Sequence, residues 1–94
     1  MTKTLVHEAD ASRYTMLLDG QVAALADYRI KDNSVSFFHT YTQPALRGQG
    51  LAEEVVTFAM DDIEKNTTLR VLPMCWYVAD WFERNQDRAA LLTR

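Results

Sequence analysis

Two glycines spaced one residue apart, with an arginine just ahead of them, make up the stretch Arg47-Gly48-Gln49-Gly50-Leu51-Ala52. Glycine permits positive φ and lets another group come close to the backbone. The stretch runs directly into an apolar-periodic segment. The first turn of a helix offers unpaired N–H groups at the positive end of its macrodipole. These features together suit an anion such as phosphate or pyrophosphate. An ordinary glycine-punctuated strand-to-helix turn fits the hexapeptide equally, so the surroundings must decide. Two side chains elsewhere have chemistry of their own. Cys75 follows Pro73 at the head of a second apolar-periodic run, and a helix N-terminus favours thiolate over thiol. Without such a setting a lone cysteine is a small buried hydrophobe. His39 alternates with Val35 and Phe37. It is either a core histidine on an apolar face or a base able to take a proton from an ammonium group. His7 has a weaker claim and reads as a partly exposed strand residue.

The elements that must position these residues follow from periodicity. Thr4–Asp10 opens the fold with the strand-like run Thr4, Leu5, Val6. Arg13–Leu18 is a strand with Tyr14, Met16 and Leu18 on one face. Asp19-Gly20 fits a tight type I′ turn, which makes Gln21–Ile30 the returning strand. Val22, Ala24, Ala26 and Tyr28 share one of its faces, and Ala23, Leu25 and Asp27 the other. After Lys31-Asp32-Asn33-Ser34 turns the chain, Ser34–Thr42 is a fourth strand. It carries Val35, Phe37, His39 and Tyr41 on one side and Ser36, Phe38 and Thr40 on the other. Pro44 ends its pairing. From Leu51 to Lys65 the apolar positions change to helical spacing, with Glu53 and Glu54 complementing the helix start. Thr67–Leu72 is a short strand, and Cys75–Asn85 a second helix whose aromatic cluster of Trp76, Tyr77, Trp81 and Phe82 reads as core. Gln86–Arg94 is a further turn or a tail that docks through Leu91 and Leu92. The order β-β-β-β-α-β-α predicts an α/β fold with a mixed sheet, mostly antiparallel, with one parallel βαβ pair. Ligands favour the carboxyl ends of such parallel strands.

Composition narrows the possibilities. The chain has 94 residues, 48% hydrophobic and 24% charged, in keeping with one domain over residues 1–94. The net charge of −3 and the scattered basic residues argue against a nucleic-acid surface. One cysteine excludes a disulfide within the chain and gives no basis for a metal site. Met1–Asp10 has no apolar run suited to a signal peptide, and no stretch reaches the roughly 20 apolar residues of a membrane helix. The expectation is a cytoplasmic protein without a membrane partner.

The glycine turn does not match two familiar phosphate loops. A nucleotide-hydrolase loop needs Gly-Lys-Ser/Thr, and Gly50-Leu51-Ala52 supplies neither lysine nor hydroxyl. A dinucleotide turn needs a third glycine where Glu53 stands, after the first strand of a parallel fold. Arg47-Gly48-Gln49-Gly50-Leu51-Ala52 instead resembles the Q/R-x-x-G-x-G/A motif of the GCN5-related N-acetyltransferases. With His39-Thr40, Pro44 and Pro73-Met74-Cys75-Trp76-Tyr77-Val78, the chain resembles the minimal, single-domain acetyltransferase-like group. It departs from that group in Thr42-Gln43-Pro44, where Val-Pro is usual, and in Trp76, where proline is common.

The resemblance implies an acetyl-CoA-dependent N-acetyltransferase acting on an amine acceptor, a protein amine among the options. It implies that Arg47, Gly48, Gln49, Gly50, Leu51 and Ala52 hold the pyrophosphate of coenzyme A. Tyr41 and Thr42, at the end of the fourth strand, and Asn85, at the end of the last helix, would complete the cofactor site. Cys75 and His39 would flank the acetyl group. Cys75 would be a transient acyl carrier or a wall of the pocket, and Asn85 a cofactor ligand or a helix cap. The family's glutamate base is missing from the fourth strand. Phe82 stands where a tyrosine acid is usual, which leaves Tyr77 as a replacement or a core ring. These absences keep open a module that binds coenzyme A or acyl-CoA with little or no turnover. A structural domain that has kept the fold and lost the ligand is a third reading.

Overall fold

The computed structural model describes residues 2–94; Met1, the first residue of the Met1–Asp10 stretch, lies outside them. Five strands form one sheet in sequence order: β1 (Lys3–Glu8), β2 (Arg13–Leu18), β3 (Gln21–Lys31), β4 (Ser34–Thr42) and β5 (Arg70–Pro73). The first four pair antiparallel, and β5 lies parallel to β4. Helix α1 (Leu51–Asn66) makes the crossover between that parallel pair, and α2 (Trp76–Arg84) follows β5. The mixed sheet and element order agree with the sequence-based expectation. The β2–β3 hairpin turns on Asp19 and Gly20 with φ of 51° and 83°.

Helix α1 exists because one stripe of it is apolar. Leu51, Val55, Val56, Ala59, Met60 and Ile63 are all buried and recur at helical spacing. They pack on Tyr14 and Met16 of β2, Ala24 and Ala26 of β3 and Phe37 of β4. Helix α2 contributes Val78, Trp81 and Phe82 to the same core. The Trp81 indole N–H donates to the Thr57 hydroxyl of α1 at 3.1 Å, so both helices lie on one face of the sheet. The C-terminal segment Gln86–Leu92 forms a 3₁₀ helix that buries Leu91, so the tail docks. Full burial of a side chain such as Phe37 or Trp81 contributes about 1.5–3 kcal/mol. The opposite sheet face carries no helix among the described residues.

Two bulges re-aim the strands. In β3, Val22 stands opposite Leu17 and Ala24 opposite Met16, which leaves Ala23 as the extra residue. Ala23 and Ala24 are therefore both buried while Val22 is exposed, contrary to simple alternation. In β4, Phe37 stands opposite Tyr28 and His39 opposite Asp27, so Phe38 is the extra residue. A bulge of this kind bends the strand and changes which side chains face which layer. His39 therefore leaves the face of Val35 and Phe37, and Thr40 takes that face in its place.

Other elements begin or end differently from the expectation. β1 stops at Glu8, and a 3₁₀ turn occupies Ala9–Ala11. β5 begins at Arg70 rather than Thr67. The Thr67 hydroxyl instead donates to the Ile63 carbonyl at 2.7 Å and accepts the Leu69 N–H at 3.1 Å. Arg94 binds the same bend, its guanidinium donating to the carbonyls of Ile63, Thr67 and Leu69 at 2.7–2.8 Å.

Candidate functional site

Strands β4 and β5 stay paired only as far as Phe37 and Pro73. The Cys75 N–H then donates to the Phe37 carbonyl at 2.9 Å, and beyond that point the two chains diverge. β4 runs on to Thr42, while α2 starts at Trp76 with Cys75 as its N-cap residue. The gap opens into a cleft of about 650 Å³. Thr40, Tyr41 and Thr42 line one wall, Trp76 and Tyr77 another, and Arg47, Gly48, Gly50, Leu51 and Ala52 close one end.

That closed end is built for negative charge. Pro44–Leu46 form a 3₁₀ turn that brings the chain round from β4. Gly48 has φ of 86°, and Gly50, the N-cap of α1, has φ of 76°. A Cβ built on either would meet nothing within 4 Å. The glycines are thus required by backbone conformation, and the space before them is open. Among the described residues, no backbone carbonyl or side chain accepts a hydrogen bond from the amides of Gly48 to Ala52. Unpaired amides in successive positive-φ and helical conformations form an anion-binding concavity. Arg47 is exposed and outside the ion pairs formed by the other described residues.

Near the divergence point the Thr40 hydroxyl lies 3.6 Å from the Cys75 sulfur, and Cys75 is partly buried. Thr40 is a site residue that sequence reasoning missed, because strict alternation puts it on the outer face. Trp76, expected in the core, is 76% exposed. It begins α2 at the cleft rim, stacked edge-on against Tyr77 at 5.6 Å. Burial, reinforced by nearby Glu53, pushes the Tyr77 phenol up, with Arg84 opposing. The phenol is therefore held protonated.

The structure does not gather every expected residue in one place. Gln49, Cys75 and Asn85 are outside the cleft lining, Cys75 meeting it only through Thr40. Asn85 closes the far end of α2, its side-chain amide donating to the Trp81 carbonyl at 2.7 Å. Of its two expected roles, the structure shows the cap. His39 has 55% of its side chain exposed, on the uncovered sheet face, with Nδ1 2.9 Å from Asp27 Oδ2. It therefore does not share a face with Thr40 and Cys75, although its neighbours Thr40 and Tyr41 line the cleft. His7 belongs to a separate cluster. Its ring stacks on Tyr14 at 4.1 Å, with Nε2 2.6 Å from the Tyr28 hydroxyl and Nδ1 3.5 Å from Asp62.

Comparison with solved structures finds a likeness to the ribosomal-protein-S18-alanine N-acetyltransferase from Escherichia coli. The TM-score is 0.53 at 23% identity, over 56% of this chain and 34% of that one. The chain thus spans about a third of that protein, and the likeness is one of fold. No curated protein sequence matches. The family model described as GCN5-related N-acetyl-transferase matches residues 13–91, a span that runs from β2 through the glycine loop to the C-terminal 3₁₀ helix. The splayed parallel pair and the amide cradle thus fall inside the match, and the chain belongs to the GCN5-related N-acetyltransferase family.

Proposed function

We propose that the protein transfers the acetyl group of acetyl-CoA to an amine. The observation that carries this reading is the set of unpaired amides from Gly48 to Ala52, beside the exposed Arg47, at the end of a cleft that reaches Thr40. Those amides hold the pyrophosphate, and Arg47 adds a charge-assisted contact. The pantetheine arm lies along the free edge of β4 between Phe38 and Thr42. There an extended amide chain finds backbone partners in the manner of an added strand. The thioester then lies near Thr40 and Cys75.

The acceptor approaches by way of the uncovered sheet face, where His39 takes the proton from its ammonium group. The free amine attacks the thioester carbonyl carbon, the C–S bond breaks, and the departing thiolate takes a proton from Tyr77. Cys75 forms a wall of the acetyl pocket. Among the described residues no histidine or carboxylate is bonded to its sulfur, whereas a covalent nucleophile is normally activated by an adjacent base.

A second reading, a coenzyme A-binding module without turnover, draws support from Phe82. That residue is buried in the core and has no hydroxyl to offer. Titration with coenzyme A, followed by amide NMR shifts, tests the shared premise. Shifts at Gly48–Ala52 are expected, and their absence would remove both readings. Acetyl-CoA with a panel of small amines and peptide N-termini then separates them. Release of free thiol dependent on acceptor supports transfer, and none above background leaves the binding module.

A further inference from the structure

The uncovered sheet face carries a row of ionisable side chains that the cleft does not use. The register places Glu8 of β1 opposite Arg13 of β2, Arg13 opposite Asp27 of β3, and Asp27 opposite His39 of β4. Glu8, Arg13 and Asp27 alternate in sign, and His39 follows them. The Asp27 carboxylate has Oδ2 2.9 Å from His39 Nδ1, within hydrogen-bond reach, and Oδ1 3.6 Å from Arg13 Nε, an ion-pair distance without a hydrogen bond. His39 ends the row, because β5 stops pairing with β4 at Phe37 and no strand continues beyond it. Asp27 has 23% of its side chain exposed and His39 55%, so the carboxylate is sheltered while the imidazole faces solvent.

We infer that Asp27 is the positioning residue for His39. Neutral imidazole has one N–H and one lone pair. A carboxylate that accepts from Nδ1–H fixes which nitrogen is which, leaving the lone pair on Nε2. Histidine in water prefers the other tautomer, with the proton on Nε2, which cannot accept a proton there. The Asp27 contact reverses that preference, and the Arg13 guanidinium stands beside the carboxylate as a counter-charge. Nε2 then points away from the row, available to an acceptor ammonium. The groups on the ring's side are Asp27 directly, Arg13 and Glu8 further along the row, Arg29 beside Asp27 on β3 with its guanidinium over Phe38, and Tyr41 on the same face of β4. No helix faces it.

This inference rests on the acetyltransferase reading for its catalytic consequence, but not for its first test. Nitrogen-15 spectra of the imidazoles, recorded without substrate in mildly alkaline buffer, report the tautomer directly. The chain has two histidines, so His39→Ala assigns the signals. Wild type is expected to show His39 protonated on Nδ1. Asp27→Asn, whose amide can donate to Nδ1, is expected to move the proton to Nε2. Asp27→Glu is expected to restore the Nδ1–H form. With an acceptor identified, Asp27→Asn lowers kcat by about tenfold or more with the KM for acetyl-CoA unchanged, and Asp27→Glu recovers part of the loss. A wild-type His39 protonated on Nε2, or an unchanged tautomer in Asp27→Asn, would overturn the inference. Failure of the wild type to transfer acetyl to any amine would strike at the acetyltransferase reading instead, and the tautomer would still decide the role of Asp27.

Discussion

The Thr40 hydroxyl and the Cys75 sulfur meet 3.6 Å apart across the gap that opens between β4 and α2. Among the described residues no other side-chain hydrogen bond ties the end of β4 to the head of α2. Thr40 lines the cleft and Cys75 stands behind it, outside the lining, and the sulfur has no base beside it. Incubation with acetyl-CoA is therefore expected to leave no stable acetyl adduct on Cys75 by intact mass. Cys75→Ser should keep transfer within about fivefold, the worth of roughly 1 kcal/mol of lost packing. An adduct that disappears in Cys75→Ala would show a covalent route.

Gly48 and Gly50 are in the left-handed region with open space before them. An alanine there is strained by about 1–2 kcal/mol but meets no protein atom, so Gly48→Ala should fold. Its added methyl stands where a pyrophosphate must approach, and coenzyme A affinity should fall by about tenfold or more, since 1.4 kcal/mol is one decade. Gly20 provides the control. It has a comparable φ of 83° and equally open space, yet it lies outside the cleft. Gly20→Ala should cost similar stability and leave coenzyme A affinity unchanged. Equal affinity losses in both variants would remove the cradle from the argument.

The cluster around Asp62 predicts a pH signature. Burial alone would raise the Asp62 carboxyl. Hydrogen bonds from Tyr14 and Asn66, with His7 nearby, outweigh it and hold Asp62 below the usual carboxylate range. A depressed carboxylate contributes stability above its unfolded value of about 4, and that contribution is lost as pH falls through the folded value. Tyr14 shifts the other way: burial, then its bond to Asp62, pushes the phenol up. Its contribution is full below the unfolded value of about 10 and is lost as pH rises towards the folded one. Tyr14→Phe should therefore cost about 1 kcal/mol near neutrality. The gap from wild type should narrow in acid and again in strong alkali. Denaturant melts across pH that stay parallel would contradict this.

Arg94 joins the end of α1 to the start of β5 through three carbonyls. Arg94→Ala should cost about 1–2 kcal/mol, and for a chain of this size each kcal/mol lowers Tm by about 4–8 °C. Coenzyme A affinity should not change, because the contact is outside the cleft lining. A thermal melt with and without coenzyme A checks both parts.

Where local chemistry decides structure, the sequence reads well. Asp19-Gly20 can hardly be anything but a tight turn, the change of apolar period at Leu51 announces α1, and the Gly48–Gly50 pair announces a strained junction. Reading failed where one residue changed the phase of a pattern. Phe38 has no mark that separates an extra residue from an ordinary strand residue, so alternation carried His39 onto the core face and Thr40 off it. Ala23 did the same to Val22 on a smaller scale. β5 began late because a distant guanidinium, Arg94, and the Thr67 hydroxyl took up the backbone groups of residues 63–69. Trp76 read as core because its type is apolar. Its exposure follows from standing in the first turn of a helix that overhangs a cleft. Asp27 gave no signal at all, since its importance arises from a cross-strand partner twelve positions away.

The extra residue in β4 makes that strand two surfaces joined end to end. Up to Phe37 the odd-numbered side chains belong to the helices' side; from Thr40 the even-numbered ones do. Adjacent strand positions face opposite sides in any case; the insertion decides that Thr40 takes the helices' side and His39 the open one. Deleting Phe38 would keep every polar group of the site in the chain and restore an unbroken pleat. His39 and Thr40 would then follow Phe37 in plain alternation and keep the sides they have, so the shortened strand should lose the local bend and retain the arrangement.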